Sequence, residues 1–554
     1  MTSDKNTTSK WLKIGAWLIG IALILFVGFF FFSGWLQGKV ERMTEKESNG
    51  LYKLKLHGLD VSPFLGHLEV DSLTLEPNYE RWQQLKQEKQ HVPRMLFRIR
   101  TAAFSASGLN LLGIAFGKPL DASELNLQEP DILLTEMHPD TTERHKAAYQ
   151  VATGILRNMQ IGQIIIADAD FRYRDYFRDS TVLLEVKKFT LTAGDFRLDS
   201  LSFEATDRAF YTRKAEFKSA GITYRFPDGQ YHVTTGALTL NSAAQTIAIR
   251  NLHLKPQRTA RQLSRAKGKA VTSNDLKIKK VQLKGVDYHT YFRKEQFLAN
   301  YLLLDKPVLR SYKTRKSGEP EERKPLPHDM VQHIKTPFLI DTLKVRNGDV
   351  RYTELALAAQ EPGSITLNSL YATITNLSNM PAHISDKKPA LLQSSFLVMN
   401  KAKVRVWARL PLLNKAGYHT IAGTFGSARP AILNPILIPT ASIKIEEGYI
   451  RKGEFKAELT ARKATGTMLV YYDNLGIELL KKGEGNEQGL GKKIISKVAD
   501  WVAIKDANPM KGEQPRTGHI SVTRDPNASV LSYWKTCVVS GFLDTIGLEK
   551  AAKK

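Results

Sequence analysis

The chain has one cysteine, Cys537, in 554 residues. No intrachain disulfide can form. This fits a cytosolic protein, or an exported bacterial one that does without bridges, and argues against a eukaryotic secreted module. There is no G-x-S-x-G elbow, no H-E-x-x-H pair and no Walker A loop. The 13 histidines are scattered, with no metal-like spacing. No zinc finger, RNP-like aromatic motif or basic helix stands out. The chain therefore reads as a non-enzymatic protein without cofactor, metal or nucleic-acid partner.

Three segments imitate chemistry and have plainer explanations. The glycines and lysines of Gly485 to Lys493 have the wrong spacing for a phosphate loop, and no Ser or Thr follows the lysine, so they read as a linker. Asp168, Asp170 and Asp175 read as turn acids on a hairpin. Cys537 lies in an apolar stretch and reads as an inert buried thiol.

Acids are scarce beside bases: 55 Asp and Glu against 80 Lys and Arg, a net charge of +25. Such a surface attracts polyanions, whether lipid headgroups, lipopolysaccharide or nucleic acid. The plainer reading is that lysine solubilises a large β surface and guards strand edges.

One long apolar run is present. Ile14 to Leu36 is 23 residues without a charge. A bilayer core of ~30 Å needs ~20 apolar residues at ~1.5 Å rise, so the run can span it. Trp17 and Trp35 sit near its ends, where indoles prefer the interface, and Leu18, Leu23 and Phe29 fill the interior. It is too long for the apolar core of a cleaved signal, no A-x-A site follows, and it reads as a retained anchor. Lys5, Lys10 and Lys13 before it are matched by Lys39, Arg42 and Lys46 after it, so charge does not orient it. The anchor favours lipid over nucleic acid as the polyanion.

From Leu51 onward the dominant signal is period-two alternation, as in Leu68 to Leu75, Ile164 to Tyr173, Leu339 to Tyr352 and Ser442 to Leu459. About 25 strands are expected between Leu51 and Leu480, or roughly 120 Å at the usual strand spacing. Helices are expected only over about Tyr79 to Gln90, Asp140 to Met159, Gly491 to Ala503 and Ser529 to Leu548. Exposed loops are expected over Lys313 to Asp329 and Gln257 to Asn274.

Two phrases recur. One pairs a Gly-containing turn with a strand ended by proline: Gly58 with Pro77, Gly108 with Pro130, Gly285 with Pro307. The other runs Ile164 to Tyr173, Leu343 to Tyr352 and Ile443 to Arg451. It predicts a hairpin turning at Asp168, at Asn347-Gly348 and at Gly448.

These phrases, with Tyr224 to Tyr231, Leu252 to Pro256 and Ser532 to Lys535 followed by Gly541, resemble the AsmA-like family of Gram-negative envelope proteins, in particular its Bacteroidetes branch. The resemblance covers nearly all of the chain after the anchor and rests mostly on β grammar. It implies a single-pass inner-membrane protein with its bulk in the periplasm. The body would be an elongated, twisted, largely antiparallel β-groove with an apolar inner face, a few short helices and a helical C-terminal cap. Relatives are implicated in moving phospholipid across the envelope or in outer-membrane homeostasis. The implied division is a cytoplasmic tail (1–13), a transmembrane helix (14–36), two groove parts (37–255 and 281–482), a basic loop region (256–280) and a C-terminal helical segment (483–554).

A groove exposes an apolar face that acyl chains could cover by the same transfer energy that buries a core. Leu343 and Val345 are expected on that face, with Val350 on the return strand of the hairpin. The basic loop Arg258, Arg261, Arg265, Lys267 and Lys269 would either hold anionic headgroups at the rim or simply be solvated. Val530, Trp534, Val538 and Leu548 are expected to dock a terminal helix on the last strands or on a membrane. Capping is the reading taken, because an open sheet end needs cover. The leading expectation is a phospholipid-binding or phospholipid-conducting envelope protein, with envelope protein partners possible. The alternative is an anchored scaffold whose β body closes on its own core.

Overall fold

A computed structural model describes residues 41–42, 44–46, 48–62, 66–90, 92–110, 118–137, 157–177, 181–268, 270–314, 323–356, 359, 361–480 and 504–548. The apolar run with Trp17, Leu18, Leu23, Phe29 and Trp35 lies outside them. So do Lys269, the expected helix at Gly491 to Ala503 and nearly all of that at Asp140 to Met159. Among the described residues no helix is long and apolar enough to cross a membrane.

The fold is mainly β, with 22 strands in one mixed sheet among the described residues. Short helices punctuate it: α1 (Tyr79–Gln87), α2 (Ser200–Glu204), α3 (Ala260–Lys267), α4 (Tyr288–Lys294), α5 (Pro327–Gln332), α6 (Asn434–Ala441) and α7 (Val530–Thr545). The chain divides into two compact units, one of residues up to Asn251 with Lys284–Leu298, the other of Leu252–Leu283 with the residues from Ala299 onward.

The first unit opens with β1 (Tyr52–Ser62), β2 (His67–Pro77), β3 (Met95–Thr101), β4 (Ala103–Ser107), β5 (Asp121–Gln128) and β6 (Asp131–Glu136). It continues with β7 (Met159–Asp175), β8 (Val182–Leu198), β9 (Lys214–Arg225), β10 (Tyr231–Thr234), β11 (Leu238–Asn241) and the start of β12 (Thr246–Pro256). β2 pairs with both β3 and β4. β5 and β6 then lie end to end along β7 and run parallel to it, Leu125 opposite Ile164 and Leu134 opposite Tyr173. A parallel return needs a crossover of a dozen or more residues, which the chain between β6 and β7 supplies. These pairs make the sheet mixed; the other described pairings are antiparallel, in keeping with the largely antiparallel sheet expected.

Alternating side chains of β1 to β8 meet in one core that includes Leu56, Val70, Phe97, Leu134, Ile164 and Phe196. α1 seals a smaller cluster. Asn78 caps it by accepting from the Arg81 amide, and the buried Trp82 indole donates to the Pro93 carbonyl at 2.8 Å.

The second unit holds β13 (Thr272–Lys284) up to Leu283 and β14 (Phe297–Thr314) from Ala299. It goes on through β15 (Phe338–Leu355), β16 (Gly363–Ser378), β17 (Ala390–Val398), β18 (Ala402–Leu410), β19 (His419–Phe425), β20 (Ile443–Leu459), β21 (Lys463–Leu479) and β22 (Thr517–Thr523). From β15 to β22 each strand is antiparallel to the next.

The recurring phrase does not turn. β7, β15 and β20 run straight through Asp168, Asn347-Gly348 and Gly448, and each register slips there. Asp168 (φ 51°), Asn347 (φ 53°) and Gly448 (φ 129°) take left-handed backbone. The Asn-Gly and Asp chemistry that serves a tight turn also serves a β-bulge, and alternation cannot tell the two apart. The glycine phrase is corrected in part. Gly58 sits inside β1 and Pro307 inside β14, while Pro77 does end β2. The expected loop over Gln257 to Asn274 contains α3 and the start of β13. Thr259 and Gln262 form a capping box at the helix start and Gly268 (φ 68°) ends it.

Candidate functional site

The bulge in β15 decides which side chains share a face. Leu343 lies opposite Ile374, Val345 opposite Ala372, Gly348 opposite Leu370 and Val350 opposite Leu367. Between Val345 and Gly348 the extra residue is on β15; between Leu370 and Leu367 it is on β16. Two bulges on opposite strands compensate. Leu343, Val345, Gly348 and Val350 therefore lie on one face of one strand. The expectation that Val350 sits on a return strand is corrected: no return occurs before Leu355.

Pairing extends the row. Leu343, Ile374, Leu392, Ala408 and Ile421 lie level across β15 to β19. Beside them run Val345, Ala372, Ser394, Val406 and Gly423. The opposite face carries Lys344, Thr373, Gln393 and Trp407. One face is apolar and the other mostly polar, as alternation demands.

Cover on the apolar face is uneven. Over β20 to β22 it is supplied by α7. Gly541 meets Met468 and Ile520 so closely that an added Cβ would lie 2.7 Å from the Met468 Cβ. Phe455, Ala457, Met468 and Ile520 are accordingly buried. On β15 to β18 the same face is only half-buried at Leu343, Val345, Ile374, Leu392, Phe396, Val404 and Val406.

α6 lies against β15 and β16 on one side and β20 on the other, strands separated in the sheet by β17 to β19. Asn434 fixes it to β20 through two bonds with Ile445, at 2.8 and 2.9 Å. On the other side an added Cβ at Gly363 would lie 3.1 Å from both the Ile436 carbonyl and Thr440. Pro430 to Ala441 has no charge and no residue of α6 is buried. A helix apolar all round normally sits in a core or in lipid. The charge-free stretch was a readable signal, but alternation-based reading passes over it.

At α7 the residues turned inward are Tyr533, Cys537, Ser540, Gly541 and Thr545. Val530, Trp534, Val538 and Leu548 are half-buried. Trp534 donates its indole N–H to Nε2 of His419 at 3.0 Å. Indole has no acceptor, so His419 Nε2 is unprotonated and Nδ1 donates to the Gly417 carbonyl at 2.9 Å. His419 is fully buried, and its ring centroid is 5.5 Å from that of His328. Burial is the main cause that lowers its pKa to about 4, with His328 and Arg524 adding repulsion. Burial also lowers that of His328, whose Nε2 meets the Tyr418 carbonyl at 3.0 Å. Burial pushes the Cys537 thiol up to about 12, so it is not nucleophilic.

Arg258, Arg261, Arg265 and Lys267 are exposed, the last three on α3 with Leu263 and Ser264 turned inward. Arg261, Arg265 and Lys267 thus share the exposed side of α3, and Arg258 precedes it. Asp170 and Asp349 serve the bulges. Asp170 accepts from the Lys188 amide at 2.9 Å and Asp349 from the Ser369 amide at 3.4 Å. Among the described residues no group of three or more His, Cys, Asp or Glu could hold a metal ion. A scan against protein-family models matches none, and a search of curated proteins finds no similar one.

Proposed function

We propose that the chain binds phospholipid acyl chains along the apolar face of β15 to β18, as a membrane-anchored, AsmA-like envelope protein. One observation carries the reading: Leu343, Val345, Ile374, Leu392 and Val406 form a level apolar row that is half-buried, while α7 covers the same face farther along. Apolar surface left in water costs about 25 cal/mol per Å², and an acyl chain laid along the row removes that cost. The row continues over five strands without a charged side chain, which suits an extended hydrocarbon better than a compact polar ligand. The activity proposed for it is carriage or retention of lipid.

The alternative, a scaffold closed on its own core, draws support from β1 to β8, whose inward side chains are buried together. Lipid extraction and mass spectrometry of the purified chain separates the two. Phospholipid above the level of a control membrane protein supports the groove; none above background supports the scaffold.

A further inference from the structure

On the polar face of the same strands, three large apolar side chains stand in water. Tyr371 is 48% exposed, Leu391 42% and Trp407 39%. Register places them together. Leu391 is opposite Arg409, Gln393 opposite Trp407, and Ser395 between Tyr371 and Arg405. Along β18, Lys403, Arg405, Trp407 and Arg409 alternate onto this face, so the indole stands between two guanidiniums. Lys403, Arg405 and Arg409 make no ion pair among the described residues, and Arg409 donates only to the Asp386 carbonyl at 2.8 Å. By register Glu454 and Glu458 are two strands away, and Asp386, whose carbonyl Arg409 meets, has its carboxylate bonded by Asn414 at 3.1 Å.

We propose that this patch of Tyr371, Leu391, Lys403, Arg405, Trp407 and Arg409 docks on the headgroup surface of an anionic phospholipid bilayer. Apolar side chains grouped in water mark an interaction surface. Indole and phenol rings settle at headgroup depth, and unpaired Arg and Lys at the same level meet lipid phosphates. Between them on this face lie Thr373, Thr375, Gln393 and Ser395, all polar and uncharged, with Leu397 opposite Lys403. A protein hot spot or a stacked base calls for a pocket or a platform of several rings. The charge is complementary to an anionic surface and unsuited to a neutral one. The contact is with headgroups, on the face opposite the acyl-chain row, and stands without it.

The test uses the full chain held in phosphatidylcholine nanodiscs and a second population of fluorescent vesicles, of phosphatidylcholine with or without phosphatidylglycerol. Capture of the anionic vesicles alone is expected. Arg405→Glu with Arg409→Glu lowers capture about tenfold or more, at ~1 kcal/mol per cation near such a surface. Trp407→Ala lowers it several-fold. Lys53→Glu with Lys55→Glu, exposed on β1 and equal in charge change, leaves it unchanged. All are surface changes checked by thermal melting, with Arg405→Gln/Arg409→Gln as the milder pair. Equal capture of both vesicle types overturns the proposal. So does undiminished capture by the patch variants, or an equal loss in the β1 control. A single-stranded RNA that displaces the vesicles at lower concentration would replace the bilayer as the occupant.

Discussion

The carboxylate of Asp170 in β7 accepts the backbone N–H of Lys188 in β8 at 2.9 Å. Lys188 (φ 42°) and Asp168 (φ 51°) are both in left-handed backbone, so two neighbouring strands are irregular at the same level. In the second copy of the phrase Asp349 meets the amide of Ser369 (φ 51°), and Asn368 donates to the same carboxylate at 3.1 Å. A bulge takes an amide out of the ladder, and the acid gives it a partner. The acid of the recurring phrase is thus a device for keeping long strands bent and in register.

Asp170→Ala should destabilise the chain by about 1 kcal/mol, and Asp349→Ala by less, because its amide contact is longer at 3.4 Å. Asp170→Asn should retain most of the stability. Urea midpoints at constant slope measure this; equal loss in Asn and Ala variants would mean that charge, not the acceptor, matters.

Val345→Asp should abolish lipid co-purification, and Lys344→Asp should not. The two are adjacent but face opposite ways, Val345 toward Ala372 and Lys344 toward Thr373. A carboxylate on the apolar row stays hydrated only by excluding hydrocarbon. Extraction and mass spectrometry of both variants decide it; equal lipid content would sink the face assignment.

The His419–Trp534 bond should make stability fall as acid is added. The His419 pKa is lowered from 6.5 to about 4. The unfolded chain then binds more protons than the folded one between those values, so stability is complete above the unfolded pKa. It is lost as pH falls from about 6.5 toward 4, by a few kcal/mol in all. Protonated Nε2 would also face the Trp534 N–H, donor against donor. Thermal midpoints from pH 7.5 to 4 should drop less in His419→Gln than in the parent. Parallel curves would place the acid sensitivity elsewhere.

Gly541→Val should lift α7 from β21 and β22. Even a Cβ there lies 2.7 Å from the Met468 Cβ and 2.9 Å from Ile520 Cγ1. Overpacking of this kind costs about 1–3 kcal/mol. Added ANS fluorescence and a tendency to self-associate are expected, since the end of an apolar sheet is uncovered. An unchanged, monodisperse variant would show that α7 is not a needed cap.

Cross-linking Thr440→Cys to Gly363→Cys should hold α6 against β16, given the 3.1 Å approach at that point. If α6 must shift for lipid to enter the row, the oxidised protein should exchange fluorescent phospholipid more slowly than the reduced one. Equal rates would make α6 a fixed wall.

The strand class was readable residue by residue. Leu68 to Leu75 alternates and lies within β2, Ile164 to Tyr173 within β7 and Ser442 to Leu459 mostly within β20, because period two is a local property of the pleat. The helices expected near Tyr79 and Ser529 are present, each started by a side-chain cap, Asn78 and Ser529. What Asn347-Gly348 does was not readable. Turn and bulge use the same left-handed backbone, and only the partner strand distinguishes them. The face of Val350 depends on a compensating bulge near Ser369, about 20 positions along the chain. The cover of α7 over Met468, the span of α6 from β16 to β20 and the meeting of Tyr371, Leu391 and Trp407 are likewise long-range pairings. Local chemistry chose strand and amphipathy; register, a sum over distant partners, chose which apolar residues are covered and which are left facing water.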